Sequence, residues 1–344
     1  MLFDGDFDLS YYYQQNINGG FSFISRAEQL VRKMKERKRL RLIGGVAGAC
    51  IVLYVFLQNI LSVPVSMEPF YSVYFKSAEF RCLVSIILSV LGLLMPFALG
   101  GYILHKKKVL KTLCFGRPNS FPLMFSAVPF GVLICLAGNY ITSIFVALSK
   151  SSGVMLTAPE YLTPESLGGR ILYAVSVAVV PALVEEFAIR GVVMQPLRRY
   201  GDRFAIVVSS IVFGILHGNL VQAPFAFIAG IGLGYAVCIT NSVWTGVLIH
   251  FCNNMYSVAV DFLVADVTDE AMLNAVWNIS QVMLYAVCII GSVLFAIVRG
   301  RRKIESAEIK LDAGSRWGAY FMNPPMLVAI LIMLYITAQY VHLI

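Results

Sequence analysis

An all-α, polytopic membrane helix bundle of about nine transmembrane helices, with its N-terminus in the cytoplasm, is the fold class that this 344-residue sequence predicts. Three observations carry it. Hydrophobic residues make up 58% of the chain and charged residues only 13%, against roughly 25% charged in an ordinary soluble domain. The apolar residues form continuous runs of about the 20 residues a bilayer-crossing helix needs, without the period-two alternation of a β-barrel strand. The basic residues gather beside those runs, where orientation-setting charge belongs.

Taken in order, the chain starts with a polar, acidic and aromatic stretch that includes Asp4, Asp6 and Asp8. It is not a signal peptide, because the first long apolar run comes only after a basic segment, and residues 1–24 are expected to be poorly ordered. Residues 25–41 are helix-prone, with eight basic side chains between Arg26 and Arg41, and read as a juxtamembrane helix touching anionic headgroups. Residues 1–41 thus form a cytoplasmic segment. Spans at 42–63, 82–104 and 121–148 make a flanking region, 42–148. Spans at 170–196, 204–220, 223–240 and 243–264 make a four-helix core, 170–264, in which Pro224 suits the first turn of a new helix. Spans at 272–298 and 325–343 close the chain as 272–344, joined by a basic cytoplasmic loop.

Alternating these spans from a cytoplasmic N-terminus puts 22 of the 27 basic residues on the cytoplasmic side. Lys76, Arg81, Lys150 and Arg170 fall outside, with the acidic loop Asp266, Asp269 and Glu270, and Arg190 lies within a span. The net charge of +8 is therefore an orientation signal and calls for no nucleic acid. The seven cysteines lie mostly inside apolar runs with no CxxC pair, as buried small hydrophobes do.

Ionisable side chains inside lipid are costly and mark function. Here they concentrate in 170–264: Glu185, Glu186 and Arg190 in the fourth span, His217 in the fifth, and His250, with the polar Asn254, in the seventh. Counting about 1.5 Å per residue puts Glu185 and His217 about 20 Å from the cytoplasmic end, Asn254 at about 16 Å and His250 at about 10 Å. The last pair is shallower or tilted toward the others, so that four polar groups from three helices come within reach. Glu186 and Arg190 are four apart and read as a buried ion pair, whereas Glu185 is turned about 100° from Glu186 and has no partner in its own helix. His250–Asn254 and Phe213–His217 share the four-residue spacing. Pro181, one turn before Glu185, should bend the fourth span. Gly230, Gly232 and Gly234 sit in mid-span and read as a helix-packing motif, not a phosphate loop.

Three patterns thus stand in order on membrane spans: Glu185-Glu186-x-x-x-Arg190, Phe213-x-x-x-His217 and His250-x-x-x-Asn254. In type and spacing they resemble the CPBP family, the CAAX protease and bacteriocin-processing (Abi) intramembrane proteases that include the type II CAAX prenyl proteases. The resemblance covers about residues 170–264 and implies that this core is catalytic. It makes the protein an intramembrane endopeptidase with Glu185 as general base and His217 holding the water. His250 and Asn254 would be oxyanion donors, with Glu186, Arg190 and Phe213 in support. It also implies a membrane-embedded or lipidated peptide substrate, cut near the cytoplasmic side, and a multi-pass protein of the plasma membrane, bacterial by its short loops. The site needs no cofactor in this reading. Zinc is the alternative, with His217, His250 and Glu185 as ligands and water in the fourth position. Buried Glu and His also suit a proton-coupled transporter, although no inverted repeat is found. The same fold could equally serve a non-catalytic scaffold or immunity protein.

Overall fold

The computed structural model describes residues 20–106, 113–159, 162–309 and 311–344. Most of the N-terminal stretch expected to be poorly ordered, and the basic residues Lys107, Lys108, Lys111 and Lys310, lie outside the described residues. Helix α1 (Gly20–Ser62) runs without a break from the basic segment through the first apolar run. A short aromatic helix, α2 (Phe70–Lys76), precedes α3 (Ala78–His105). Then follow α4 (Phe121–Ser151), α5 (Leu167–Tyr200), α6 (Asp202–Leu216), α7 (Ala223–Thr240), α8 (Val243–Asp266) and α9 (Glu270–Arg299). The chain ends in α10 (Ala313–Phe321) and α11 (Pro324–Ala338). The only sheet among the described residues pairs β1 (Val154–Leu156) with β2 (Val341–Leu343), antiparallel. The protein is an all-α polytopic membrane bundle.

Each predicted span is helical over most of its length, the last one giving way after Ala338 to a turn and β2, but not all cross alone. Seven helices are long and apolar enough to span a membrane, and α10 with α11, bent by 70° at their junction, makes an eighth if counted as one. The remaining predicted span, α6, has 15 residues and is about 22 Å long, short of the roughly 30 Å hydrocarbon core. It stops because Gly218 takes a positive φ of 62° and Asn219 folds a tight turn. The Asn219 carboxamide accepts from the Gln222 N–H at 2.9 Å and donates to the His217 carbonyl at 2.9 Å. Helix α7 then starts with Pro224 in its first turn, as expected. Within α7, Gly230 lies against Ser210 of α6, where an added Cβ would sit 2.9 Å from the serine side chain. Helix-to-helix packing is thus what this glycine run does.

The four prolines interior to α3, α4 and α5 are Pro96, Pro129, Pro181 and Pro196. Three of them directly follow wide π-helical turns, at Leu88–Leu94, Val175–Val179 and Phe187–Met194. A proline has no N–H to give, and its ring crowds the carbonyl four residues back, so the preceding turn opens. Two of the three opened turns flank Glu185 and Glu186.

Contacts between helix ends fall into two sets that match the predicted sides. At the N-terminal side, the end of α5 is a hub. Arg199 pairs with Glu36 of α1 at 3.0 Å, and its carbonyl accepts from the N–H groups of Glu308 and Ile309. Arg198 pairs with buried Asp202 at 2.8 Å and donates to Asn241 at 2.9 Å. Arg316 donates to the Tyr200 carbonyl at 2.9 Å. At the opposite side, β1 pairs with β2, Ser166 donates to Glu79 at 3.1 Å, and Arg170 pairs with Asp266 at 2.5 Å.

Candidate active site

Glu185 and Glu186 are neighbours in sequence with opposite surroundings. Glu186 is fully buried, and its Oε1 lies 3.0 Å from Nη1 of Arg190, itself fully buried. The guanidinium also lies 4.6 Å from the centre of the Phe213 ring, and its Nη2 reaches the Gly230 carbonyl at 3.5 Å. A charge with no water around it needs such partners, and the ion pair expected from the four-residue spacing provides them. The fit leaves no spare room: a Cβ on Gly246 of α8 would come 2.5 Å from Glu186 Oε2. The Glu185 side chain, in contrast, is 25% exposed and lines a cavity.

His250 joins the two acids. Its Nδ1 is 3.2 Å from Glu186 Oε1 and its Nε2 is 3.9 Å from Glu185 Oε2. A carboxylate can only accept, so Nδ1 carries the hydrogen in the contact with ionised Glu186. The contact brings His250 to the acids despite the counted depth difference, of which the wide turns at Phe187–Met194 take up only a part.

Asn254 has a structural duty that its spacing did not reveal. Its Nδ2 donates to the Val177 carbonyl at 2.9 Å. Val177 lies four residues before Pro181, so an α-helical N–H partner for that carbonyl is missing, and α8 supplies a replacement. Asn253 Nδ2 donates in turn to Asn254 Oδ1 at 3.1 Å. The carboxamide is thereby fixed, with one amide hydrogen left over.

His217 ends α6. Its Nδ1 lies 2.8 Å from the Phe213 carbonyl, which can only accept, so Nδ1 is the protonated nitrogen and Nε2 of the neutral ring is a bare acceptor. The Phe213 ring meets His217 edge-on at 4.9 Å and His250 at 6.0 Å, and so stands between the two imidazoles.

Glu185, His217, His250, Asn254 and Phe213 all line one cavity of about 1020 Å³. Among the described residues no group of three or more His, Cys, Asp or Glu side chains gathers at metal-binding spacing. Further lining residues were not foreseen. Asp261 accepts from the Tyr173 hydroxyl at 2.7 Å. It continues the face of α8 that carries His250, Asn254 and Ser257, and that helical spacing, with an acid inside an apolar span, is the signal that could have found it. Helix α4 contributes Asn139, Thr142 and Ser143, whose three- and four-residue spacing also puts them on one face.

Residues 167–256, about a quarter of the chain, match the family model described as Type II CAAX prenyl endopeptidase Rce1-like. Neither the comparison with curated proteins nor that with solved structures gives a match. The matched segment begins with α5, ends within α8 and contains all three motifs. Over this stretch the chain is similar to the type II CAAX prenyl endopeptidases.

Proposed function

We propose that this protein is an intramembrane endopeptidase that cuts a membrane-embedded or lipidated polypeptide, with Glu185 as the general base. The observation that carries the reading is the contrast between the two adjacent acids. Glu186 is sealed and neutralised by Arg190, whereas Glu185 reaches the cavity and faces His250 Nε2 across 3.9 Å. A cavity of about 1020 Å³ also exceeds what an ion or a small solute needs, since small-ligand pockets are typically about 300–1,000 Å³.

In this mechanism a water molecule sits between Glu185 and the bare Nε2 of His217. Glu185 takes one of its protons as the water oxygen attacks the scissile carbonyl carbon. With Nδ1–H held by Glu186, His250 can donate from Nε2 only when both ring nitrogens carry hydrogen. So charged, His250 offers Nε2–H to the developing oxyanion, and the remaining Asn254 amide hydrogen is a second donor. Glu185 then hands its proton to the departing amine. Glu186, Arg190 and Phe213 act by position: they hold His250 and the ring between the histidines. The fitting location is a plasma membrane, bacterial by the short loops, with the bilayer and its polypeptides as partners and no nucleic acid.

Purified Glu185→Gln protein tests the base. Its turnover of acylated hydrophobic peptides should fall by about a thousandfold or more with an unchanged melting temperature. Equal cleavage by both proteins would refute the assignment.

A further inference from the structure

The cavity is lined from one end of the bundle only. Its wall runs from Glu185, His217 and His250 through Tyr173, Val177 and Asp261 to Arg81, Lys150, Pro159 and Leu162. No lining residue comes from the cytoplasmic segments around Arg39, Arg117, Arg199 or Lys303. At that end the hub around Arg198, Arg199 and Asp202 ties the helices together, and a separate cavity of about 800 Å³, lined by Arg203, Arg299 and Lys303 among others, shares no lining residue with the one that holds Glu185. The positive-inside count makes the end that carries Arg39, Arg199 and Lys303 the cytoplasmic one, so the open end of this cavity faces away from the cytoplasm.

The open end has a charge pattern of its own. The loops and helix ends on that side hold seven acidic residues and four basic ones. Arg170 is spent on Asp266, yet Arg81 and Lys150 both line the cavity. Arg81 is held in place by donating to the Tyr74 and Phe75 carbonyls at 2.7 and 3.4 Å. Between this mouth and Glu185 the cavity passes Ser85 and Ser89 of α3, and Asn139, Thr142 and Ser143 of α4. Thr142 is only 6% exposed, and its Oγ1 has no hydrogen-bond partner among the described residues. A buried hydroxyl of that kind is set to meet a ligand or water. Helices α3 and α4 lie outside the matched segment 167–256, so the reacting groups and the path to them come from different parts of the chain.

We infer that the substrate is an extracytoplasmic polypeptide that enters between α3 and α4, with a carboxylate received by Lys150 and Arg81 at the mouth. This rests on the endopeptidase reading above for what happens at Glu185, but not for the side of entry or the charge preference.

Two measurements on the full chain separate the two ideas. Ser89→Cys and Lys303→Cys proteins are treated with a membrane-impermeant maleimide in spheroplasts and in inverted vesicles, against the unsubstituted protein. Ser89→Cys should label in spheroplasts and Lys303→Cys in inverted vesicles. Labelling of Ser89→Cys from the same side as Lys303→Cys, or from neither side, overturns the side of entry. Next, fluorescent acylated peptides ending in a free carboxylate or an amide are bound to Glu185→Gln protein, which needs no turnover. The carboxylate form should bind about tenfold tighter, Lys150→Gln should remove that advantage, and Lys150→Arg should restore it. Equal binding of the two forms overturns the carboxylate preference. Peptides that bind as expected but are not cut by unsubstituted protein would leave the entry path standing and sink the endopeptidase reading.

Discussion

The two ends of the bundle are built on opposite plans. At the cytoplasmic end, charge is plentiful and closed on itself: Arg198 on Asp202, Arg199 on Glu36, and the Asp202 Oδ2 accepting from the Glu305 N–H at 2.8 Å. At the other end, charged side chains are fewer, and the wall opens into a wide cavity whose mainly apolar lining carries a few polar groups. Glu185 and Glu186 sit on the boundary, one facing each plan. Charge serves the closed end as mortar. At the open end the few polar groups stay available, and availability is what chemistry requires.

The comparison can be broken by substitutions on either side of that boundary. The largest effect belongs to Glu185→Gln, which should lower turnover by about a thousandfold or more and leave stability intact. Loss of stability instead would make Glu185 part of the mortar. Next comes Arg190→Leu, which takes the guanidinium from the buried Glu186 carboxylate and leaves only His250 beside it. Removing one partner of a buried pair costs about 3–5 kcal/mol, so detergent-solubilised protein should unfold at a clearly lower denaturant concentration. A Glu186→Gln, Arg190→Leu double variant should recover part of that loss, and no recovery would mean the pair is not what holds this region.

A smaller effect is expected at the closed end. Asp202→Asn weakens the tie between α6 and the loop after α9 and should cost about 1–3 kcal/mol, with kcat on any cleaved peptide unchanged. A fall in kcat larger than the stability loss would show that the closed end takes part in catalysis. The smallest effect is at Asn254. Asn254→Ala strips the Val177 carbonyl of its donor, at about 1–2 kcal/mol. Adding Pro181→Ala gives that carbonyl a backbone N–H again and should return part of the stability but not the activity. Additive losses would contradict the repair that α8 makes to α5.

How much of this was legible in advance differs by residue. The Glu186–Arg190 pair was readable because both partners lie on one helix, where spacing fixes geometry. Pro224 and the Gly230 run were readable for the same reason. The bond from Asn254 to Val177 was not. It joins two helices whose relative rotation depends on the whole bundle, although Pro181 does advertise a carbonyl in need of a donor. That His250 comes within reach of the acids was legible by counting depth, but which of its nitrogens meets which acid was not. Asp261 was visible as an acid in an apolar span, on the face that carries His250 and Asn254, but its partner Tyr173 lies 88 residues away in the sequence. The expectation that cutting occurs near the cytoplasmic side came with the family resemblance and the depth of its motifs. Neither these nor the charges on loops say from which end the cavity around Glu185 is lined.

The sequence by itself determined the membrane class, the orientation and the short list of polar groups that lipid would not tolerate without a purpose. Those follow from the cost of placing charge in hydrocarbon, which acts residue by residue and leaves its mark on composition and order. Only the tertiary structure decided which acid is sealed, which nitrogen of each histidine is engaged, and from which end the cavity opens. Those depend on how helices far apart in the chain rotate and pack against each other. Such packing arises from many small contacts summed over the bundle, and no single stretch of sequence contains it.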